Sequence, residues 1–324
     1  MAAALTTAKH VVLTTHVNAD GDGVGSEIGL WHLLRAQGVS VKIANPTRIP
    51  ERFNFLIPEG ADASDHAARE IARADLVASL DIGDLTRLGE LASVIRHKEP
   101  PLFVCIDHHV GPAKLPPGPC LIAPEATATA ELVFDLACVA GWTLTPEVAQ
   151  ALYVGLLTDT GGFRFSNTTA RALRVAAALL EHGVDPESIY ASVYANAPEG
   201  RVRLLAEVLQ TLVVEPDVGL AWVSVPPDAL FRHEATADDL DGIVEFPRSI
   251  AGVRLALLFR QIGNGRIKVS FRSMGEVDVA ALAHAFGGGG HHRAAGASLT
   301  GSMAEVEAKV LSAARRFLAN GRSV

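Results

Sequence analysis

The sequence has few cysteines and no long hydrophobic run. Its three cysteines, Cys105, Cys120 and Cys138, are too few and too irregularly spaced for a disulfide framework or a thiolate zinc site, so we interpret them as core residues. The apolar stretches stay well below the roughly 18 to 20 residues of a membrane-spanning helix, and the N-terminus lacks the layout of a signal peptide. We therefore expect a cytoplasmic protein without a membrane partner.

Basic residues are also scarce. The 324 residues carry a formal net charge of −8, which argues against a protein that coats long nucleic acids. One segment differs: between Pro247 and Ala294 there are seven basic and two acidic residues, a local balance of 7 − 2 = +5. This cationic zone indicates a small anionic ligand, although a solvated strand face would give the same count.

The N-terminal half contains the alternating strand and helix patterns that are typical of an α/β fold. Helical patterns lie between or after short, nearly continuous apolar runs. The predicted strands are 11–16, 41–45, 76–82 and 101–109, and the clearest helical patterns are 24–38, 131–141 and 146–159. This alternation predicts a parallel sheet covered on both faces, and such sheets bind ligands at the carboxyl ends of their strands.

A second architecture begins after about residue 215. Strand patterns at 219–225, 253–262 and 266–273, the last two joined by the hairpin signal Gly263-Asn264-Gly265, are followed by helical patterns at 277–286 and 303–319. We therefore predict an α/β protein in which a parallel-sheet domain is joined by a helical linker to a smaller α/β domain with a mixed sheet. The predicted limits are 1–185 for the first domain, 186–215 for the linker and 216–324 for the second domain.

Acidic and histidine side chains follow the first, third and fourth predicted strands and end one predicted helix. These residues are His16, Asp20, Asp22, Asp81, Asp107, His108, His109 and Asp159. Any one of them alone is more typical of a turn, a helix cap such as Asp22, or a buried histidine bonded to a carbonyl. Together, clustered carboxylates would repel one another unless they were protonated or neutralised by divalent cations. Oxygen and imidazole ligands without thiolate favour Mn²⁺, with Mg²⁺ or Co²⁺ as alternatives.

Four ordered motifs, HVNADGDGVGS (16–26), SLDIGD (79–84), DHH (107–109) and TDTGGF (158–163), resemble the DHH phosphoesterase superfamily. The stretch VSFRSMGEVDVAALAHAFGGGGHHRAAG (269–296) resembles the DHH-associated C-terminal domain of that superfamily. The combination is most similar to the stand-alone branch that degrades very short RNAs and dephosphorylates 3′-phosphoadenosine 5′-phosphate (pAp). Near relatives of that branch hydrolyse cyclic di-AMP or its linear product.

The resemblance implies two metal ions with separate ligands. His16 and Asp20 would hold one ion, Asp81 would bridge both, and the second ion would be held by Asp22, His108 and Asp159. It also implies two catalytic residues, Asp107 with an orienting role and His109 in contact with phosphate. The small residues between these ligands are expected to let the turn after the first strand bend tightly. Two departures from the family pattern are Ala19, where proline is frequent, and His292, where lysine is common.

The glycine-rich stretch near the C-terminus is the second candidate site. A run of four glycines from Gly287 would let backbone N–H groups approach an anion, with charge from neighbouring side chains, although a flexible turn is an alternative. The predicted substrate-binding residues are Arg272, Ser273, Gly288, Gly289, Gly290 and His291. We expect this domain to hold the far phosphate or nucleotide of a short substrate.

The predicted function is hydrolysis of short oligoribonucleotides to mononucleotides, and of pAp, by a manganese-dependent phosphoesterase. Hydrolysis of cyclic di-AMP or linear pApA is an alternative, and a nucleotide-binding regulator without catalysis is the alternative from another class. A metal-dependent pyrophosphatase is disfavoured because it requires a different C-terminal domain from GGGGHHRAAG. The resemblance also predicts a homodimer.

Overall fold

A computed structural model describes residues 1–97, 102–109, 115–263 and 265–319. The chain divides into two compact units, residues 1–196 and 197–324. This division falls inside the predicted linker, and the domain limits given above stay a prediction. None of the helices within the described residues is long and apolar enough to cross a lipid bilayer.

The first unit is built on a five-stranded parallel sheet in the order β2-β1-β3-β4-β5. Its strands are β1 (His10–Thr14), β2 (Ser40–Ile43), β3 (Leu76–Leu80), β4 (Leu102–Asp107) and β5 (Cys120–Ile122). Its helices are α1 (Ala2–Thr7), α2 (Gly21–Ala36), α3 (Ala67–Arg73), α4 (Leu91–His97), α5 (Thr129–Ala140), α6 (Pro146–Asp159), α7 (Ala170–Glu181) and α8 (Pro186–Tyr194). Short 3₁₀ turns lie at Glu51–Leu56, Ser64–His66 and Leu85–Leu88.

Apolar residues cover both faces of this sheet, which explains the nearly continuous hydrophobic runs. In β1, Val11 and Leu13 pack into the core that includes α2, α5 and α6, whereas Val12 packs with residues of α3 and α4. Successive side chains of a strand point to opposite faces, so a strand buried on both faces needs an apolar residue at every position. The predicted parallel sheet is confirmed. Its strand order reverses direction between β1 and β3, where such sheets bind ligands.

The second unit has a six-stranded mixed sheet in the order β10-β11-β9-β8-β7-β6. Its strands are β6 (Val213–Glu215), β7 (Leu220–Ser224), β8 (Leu255–Gln261), β9 (Arg266–Ser273), β10 (Gly289–His291) and β11 (Ala294–Thr300). Its helices are α9 (Glu199–Leu209), α10 (Ala229–Arg232), α11 (Glu245–Arg248), α12 (Val279–His284) and α13 (Met303–Ala319), with a 3₁₀ turn at Asp238–Leu240. The pairing of β7 with β8 is parallel and the other pairings are antiparallel, which confirms the predicted mixed sheet.

The predicted hairpin is present where β8 turns into β9. The two strands are antiparallel neighbours, and the amide of Arg266 donates to the carbonyl of Gly263 at 3.0 Å. Gly263 and Gly265 both have positive φ angles, 78° and 64°, which explains the glycines of the signal. Asn264 lies outside the described residues, as do Pro101 of the predicted fourth strand and the chain end beyond residue 319.

Candidate active site

Three predicted site residues lie where β1 ends and α2 begins. His16 follows β1 by two residues and is buried, and Asp22 lies buried in the first turn of α2. Asp20, not Asp22, is the N-cap of α2, because its Oδ1 accepts the amides of Asp22 and Gly23, each at 3.1 Å. The other oxygen of Asp20, Oδ2, lies 3.7 Å from Nε2 of His16. One carboxylate therefore both starts the helix and faces the site.

The glycines of this segment serve close packing, two of them against another helix and Gly23 against Thr15, so the expectation of a tightly bent turn is wrong for them. All of them lie inside α2. A Cβ on Gly21 would lie 2.4 Å from Oγ1 of Thr158, and a Cβ on Gly25 would lie 2.3 Å from the carbonyl oxygen of Ala151, both in α6. Because no side chain fits there, the start of α2 packs directly against the end of α6, which carries Asp159.

Asp81 directly follows β3 and occupies an unusual backbone conformation. Its φ angle is 61°, in the left-handed region that Asp and Asn tolerate better than most other residues. Its amide donates to the carbonyl of Ile106 in β4 at 2.9 Å, and its carboxylate is almost fully buried. The Oγ1 atom of Thr129 donates to Oδ1 of Asp81 at 3.0 Å. These bonds hold the carboxylate between the neighbouring strand ends.

Asp107 ends β4 and bonds to His109. The Nδ1 atom of His109 lies 2.7 Å from Oδ1 of Asp107, and the amide of His109 donates to the same oxygen at 3.2 Å. Nε2 of His109 lies 3.3 Å from Nη1 of Arg87, which is a donor, so the proton of this imidazole belongs on Nδ1. A Cβ on Gly83 would lie 2.6 Å from Oδ2 of Asp107, so glycine is required for this close approach.

Asp159 is the last residue of α6, as its position in the helical pattern predicts. The side-chain amide of Asn167 donates to the carbonyl of Asp159 at 3.1 Å and to its Oδ2 at 3.3 Å. The segment that follows α6 thus folds back onto this carboxylate and limits its orientations.

The structure brings the predicted ligands together in two groups that share no member. Within each group the ligand atoms lie within 4.8 Å of one another. One group is His16, Asp20 and Asp81, and the other is Asp22, His108 and Asp159. Asp81 also approaches His108, with Oδ1 at 3.4 Å from Nε2, so it adjoins both groups. A further combination joins Asp81 with His108 and His109.

The members of these groups face one another across gaps longer than an ordinary hydrogen bond. The distances from Nε2 of His108 to the carboxylates of Asp22 and Asp159 are 3.7 Å and 3.8 Å. Nε2 of His16 is buried and has no hydrogen-bond partner among the described residues. An unpartnered imidazole nitrogen beside buried carboxylates fits a divalent metal ion, which would take the lone pair and neutralise the acids.

The electrostatics of the metal-free site show how strongly it attracts cations. Burial disfavours the charged form of His16, but the carboxylates of Asp20 and Asp81 outweigh it and raise the pKa of His16 to about 10. Burial also disfavours the charged form of His108, but the carboxylate of Asp81 outweighs this effect and raises the pKa of His108 to about 10. Burial, together with repulsion from Asp81, raises the pKa of Asp159 to about 6. Protons therefore occupy a site in which divalent cations would replace them.

Sequence reasoning missed several residues that contact the predicted site residues, among them three whose side chains come from other segments. Thr129 contacts Asp81, Arg87 lies beside His109, and Asn167 contacts Asp159. The N-cap of α5 is Ala128, which makes no side-chain cap, so no capping residue marks this helix start in the sequence. Nor does the local sequence indicate that the helix start touches acids far away along the chain.

The predicted substrate-binding residues of the second unit meet at one end of its sheet. Ala294, the first residue of β11, pairs with Arg272 of β9 on one side and with His291 of β10 on the other. The side chain of His291 lies outside what the structure describes. His292, the departure noted above, has Nδ1 3.7 Å from the carboxylate of Asp278. The structure thus groups these residues, while their role in binding stays a prediction.

Several groups in this cluster already have partners within the unit. The hydroxyl of Ser273 is buried and donates to the carbonyl of Val277 at 2.6 Å. Nε of Arg272 lies 3.3 Å from the carboxylate of Glu245. An anionic ligand would therefore compete with Glu245 for the guanidinium group.

The four glycines form neither a flexible turn nor an open loop. The amides of Gly287 and Gly288 close α12 by donating to the carbonyls of His284 and Ala283 at 3.0 Å and 2.9 Å. Gly289 and Gly290 belong to β10. The first two amides of the run are consequently engaged in the fold, and the expectation that all four could approach an anion needs this correction.

The geometry defines the class of the protein: an α/β protein whose sheet edge carries two adjoining groups of carboxylates and imidazoles that could hold divalent ions, followed by a second α/β unit. Residues 10–156 match the DHH family, N-terminal domain, and residues 219–320 match the DHHA1 domain. The chain belongs to the DHH phosphoesterase family.

Three proteins illustrate the similarity. The bifunctional oligoribonuclease and PAP phosphatase NrnA of Thermus thermophilus is 35% identical over 315 residues, which cover 95% of this chain and 90% of that protein. The protein of the same name from Bacillus subtilis is 28% identical over 89% of each chain. The crystal structure of an exopolyphosphatase-related protein from Bacteroides fragilis superimposes with a TM-score of 0.92 at 30% identity, covering 98% of this chain and 95% of that one.

Proposed function

We propose that this protein is a two-metal phosphoesterase that hydrolyses short oligoribonucleotides to mononucleotides and removes a phosphate from pAp. The observation that carries the proposal is the pair of adjoining ligand groups, one of which contains Asp81 while His108 of the other lies 3.4 Å from the same carboxylate. The two relatives named as oligoribonuclease and PAP phosphatase support the substrate class, because the similarity extends over nearly the whole chain.

We propose that His16, Asp20 and Asp81 would hold one divalent ion and that Asp22, His108 and Asp159 would hold the other. Asp81 would bridge both, which is supported by the 3.4 Å distance from its Oδ1 to Nε2 of His108. When bound, such a pair of ions lowers the pKa of a water molecule that attacks phosphorus and neutralises charge on the phosphate oxygens. We propose Mn²⁺ as the preferred ion, with Mg²⁺ or Co²⁺ as alternatives, because the donors are carboxylates and imidazoles without thiolate.

The protein's own groups orient and neutralise the substrate. The bond from Nδ1–H of His109 to Asp107 fixes the imidazole and its tautomer, so Nε2 keeps its lone pair toward Arg87. A phosphate oxygen that displaced this contact would lie beside the guanidinium of Arg87 and the imidazole of His109. On the basis of these positions we propose the orienting role for Asp107 and the phosphate contact for His109.

The second unit is proposed to bind the far phosphate or nucleotide through the cluster around Arg272. The basic character of the segment from Pro247 to Ala294 supports an anionic ligand. Specificity for short substrates would follow because the overall charge of −8 opposes the accumulation of long polyanions.

The direct test is incubation of the purified protein with Mn²⁺ and, separately, a diribonucleotide and pAp, with products separated by chromatography. We expect mononucleotides from the first substrate and AMP with inorganic phosphate from the second. Tight nucleotide binding without product would contradict the proposal and support the non-catalytic regulator.

The same assay ranks the alternative substrates. Parallel kcat/KM values for the diribonucleotide, pAp, cyclic di-AMP and linear pApA should be highest for the first two. A clear preference for cyclic di-AMP would replace the proposed substrate while keeping the two-metal chemistry.

We further propose that the protein acts in the cytoplasm and as a homodimer. The small number and irregular spacing of its cysteines support a reducing compartment. Cys105 is buried, but Cys120 and Cys138 are exposed, so their interpretation as core residues is wrong. Light scattering of the purified protein tests the dimer by measuring its mass against the 34.1 kDa of one chain.

A further inference from the structure

The start of α5 contacts most members of one ligand group. The segment from Ala126 to Ala130 reaches Asp22 and His108 directly. Nδ1 of His108 lies 3.3 Å from the carbonyl oxygen of Ala126, and the amide of Ala130 donates to Oδ1 of Asp22 at 2.9 Å. All these contacts lie within the first unit.

Asp159, the third member of the group, is connected to the same segment through Asn167. The side-chain amide of Asn167 donates to Oδ2 of Asp159 at 3.3 Å, and the hydroxyl of Thr127 donates to the carbonyl of Asn167 at 3.0 Å. The start of α5 therefore supports Asp22, His108 and Asp159, which together form one of the two ligand groups.

Thr129 is the residue of this segment that touches two ligands at once. Its amide donates to Oδ2 of Asp22 at 2.6 Å, and its hydroxyl donates to Oδ1 of Asp81 at 3.0 Å. The residue is fully buried, so water cannot replace the hydroxyl without a rearrangement. A carboxylate oxygen can accept this bond and still offer a lone pair to a metal ion.

The two oxygens of Asp81 face different ligand groups. Oδ1 lies 3.4 Å from Nε2 of His108, whereas Oδ2 lies 3.4 Å from Nε2 of His16. Thr129 bonds to Oδ1, which is the oxygen on the His108 side. A change in this bond would therefore act first on the ion held beside His108.

We propose that Thr129 is a positioning residue that acts through Oδ1 of Asp81. It would raise the metal affinity of one of the two sites, the one formed by Asp22, His108 and Asp159. The site of His16 and Asp20 depends on the other oxygen of Asp81 and is held by the start of α2, so it should be nearly independent of Thr129. The inference rests on the proposed function only in requiring that two ions bind.

The test is a titration of the metal-free full-length protein with Mn²⁺ in the absence of nucleotide, followed by calorimetry or by the electron paramagnetic resonance signal of free Mn²⁺. Thr129→Val replaces the hydroxyl by a methyl group of similar size, and Thr129→Ser is the matched control that keeps the hydroxyl. For Thr129→Val we expect one Mn²⁺ to bind about 10- to 100-fold more weakly, as is typical when a partner of a metal ligand is lost, and the other to change less than about 3-fold. Thr129→Ser should resemble the unaltered protein.

Combining Thr129→Val with a substitution in each ligand group identifies the affected ion. In an Asp20→Ala protein the better-bound ion is on the His108 side, so adding Thr129→Val should weaken it. In an Asp159→Ala protein the better-bound ion is on the His16 side, and adding Thr129→Val should leave its Kd within about 3-fold. Weakening of the ion in the Asp159→Ala background would overturn the assignment.

The titrations of the single variants Thr129→Val and Thr129→Ser are decisive by themselves. Equal weakening of both ions in Thr129→Val, no weakening of either, or equal weakening in Thr129→Ser would each contradict the proposal. Circular dichroism of the metal-free proteins establishes that each variant is folded, and Thr129→Ala replaces Thr129→Val if the valine variant does not fold. Because no nucleotide is present, a failure of the proposed hydrolysis leaves this result unaffected, and the reverse also holds.

Discussion

The candidate sites of the two units differ in how their polar groups are satisfied. In the first unit, buried imidazoles and carboxylates face one another across 3.4 to 3.8 Å, and Nε2 of His16 has no hydrogen-bond partner among the described residues. In the second unit, the hydroxyl of Ser273 and the first glycine amides are already bonded within the fold.

The difference is consistent with the two proposed kinds of ligand, cations in the first unit and an anion in the second. A site whose buried carboxylates and imidazole nitrogens lack partners would be stabilised by a bound cation, since an unpaired buried charge destabilises the folded protein. A site whose groups are paired internally can bind a ligand by exchanging a weak partner, as Arg272 would exchange Glu245. The unpaired buried groups of the first unit therefore lower the stability of the metal-free fold, whereas the bonded polar groups of the second unit lower it little.

The largest expected effect comes from removing the shared carboxylate. Asp81→Asn keeps the size of the side chain, and Asn tolerates the φ angle of 61° at this position. We expect kcat to fall about 10³-fold or more on every substrate, since the loss of both ions removes several kcal/mol of stabilisation. Steady-state kinetics with Mn²⁺ measures this.

The matched control is Asp65→Asn, at an exposed ion pair with Arg48, and it should leave kcat unchanged. Near-normal turnover by a folded Asp81→Asn protein would show that the first unit does not work through two ions.

The second expected effect tests whether buried ionisable groups lower the stability of the first unit. Glu27 in α2 is fully buried and accepts a bond from Nδ2 of Asn45 at 2.8 Å, and burial raises its pKa to about 8. The folded protein therefore holds this proton more tightly than the unfolded chain does. The associated stability is complete below the unfolded pKa of about 4.5 and is lost as pH rises toward 8.

Glu27→Gln should abolish this part of the pH dependence, which is on the order of a few kcal/mol between pH 5 and pH 9. Urea denaturation of the metal-free protein at several pH values measures it, and Glu90→Gln on the surface is the control. Parallel stability curves for Glu27→Gln and the unaltered protein would contradict this expectation.

A smaller effect is expected in the second unit. Arg272→Ala should raise KM about 10-fold, with kcat changed less than about 3-fold, because a bond to an anion is lost while the metal ligands remain. Arg266→Ala, at the other end of β9, is the control. A fall in kcat with KM unchanged would show that Arg272 acts in the chemical step instead.

The smallest effect separates binding from stability at Ser273. Loss of the buried bond from its hydroxyl to Val277 in Ser273→Ala should cost about 1 kcal/mol of unfolding free energy and leave KM unchanged. Thermal denaturation and steady-state kinetics measure the two quantities. A raised KM would instead support the substrate contact implied by the family resemblance.

Much of the first site could be predicted from sequence, because parallel strands deliver their carboxyl ends to one edge. Asp81 and Asp107 follow directly from this rule, and the structure places each where its strand ends. The division of the ligands between two metal ions came from the family resemblance and stays a prediction, while the structure shows that the polar atoms of each group lie within 4.8 Å of one another.

The parts that sequence reasoning missed depend on contacts between distant segments. Thr129 meets Asp22 across 107 positions of sequence, and no local pattern encodes such a contact. Gly21 and Gly25 were interpreted as turn residues because their effect, close packing of α2 on α6, requires knowing which helix lies opposite. The same limit applies to Gly287 and Gly288, whose amides close α12.

The close packing around Gly155 of α6 also bears on which ion the proposed site would prefer. A Cβ on Gly155 would be 2.5 Å from Cβ of Ala130 in α5 and 3.0 Å from Oδ1 of Asp22 in α2. The packing therefore restricts the position of the Asp22 carboxylate, and a restricted ligand would match some ionic radii better than others. A single added methyl group at Gly155 would be expected to alter ion selectivity while every ligand stayed the same.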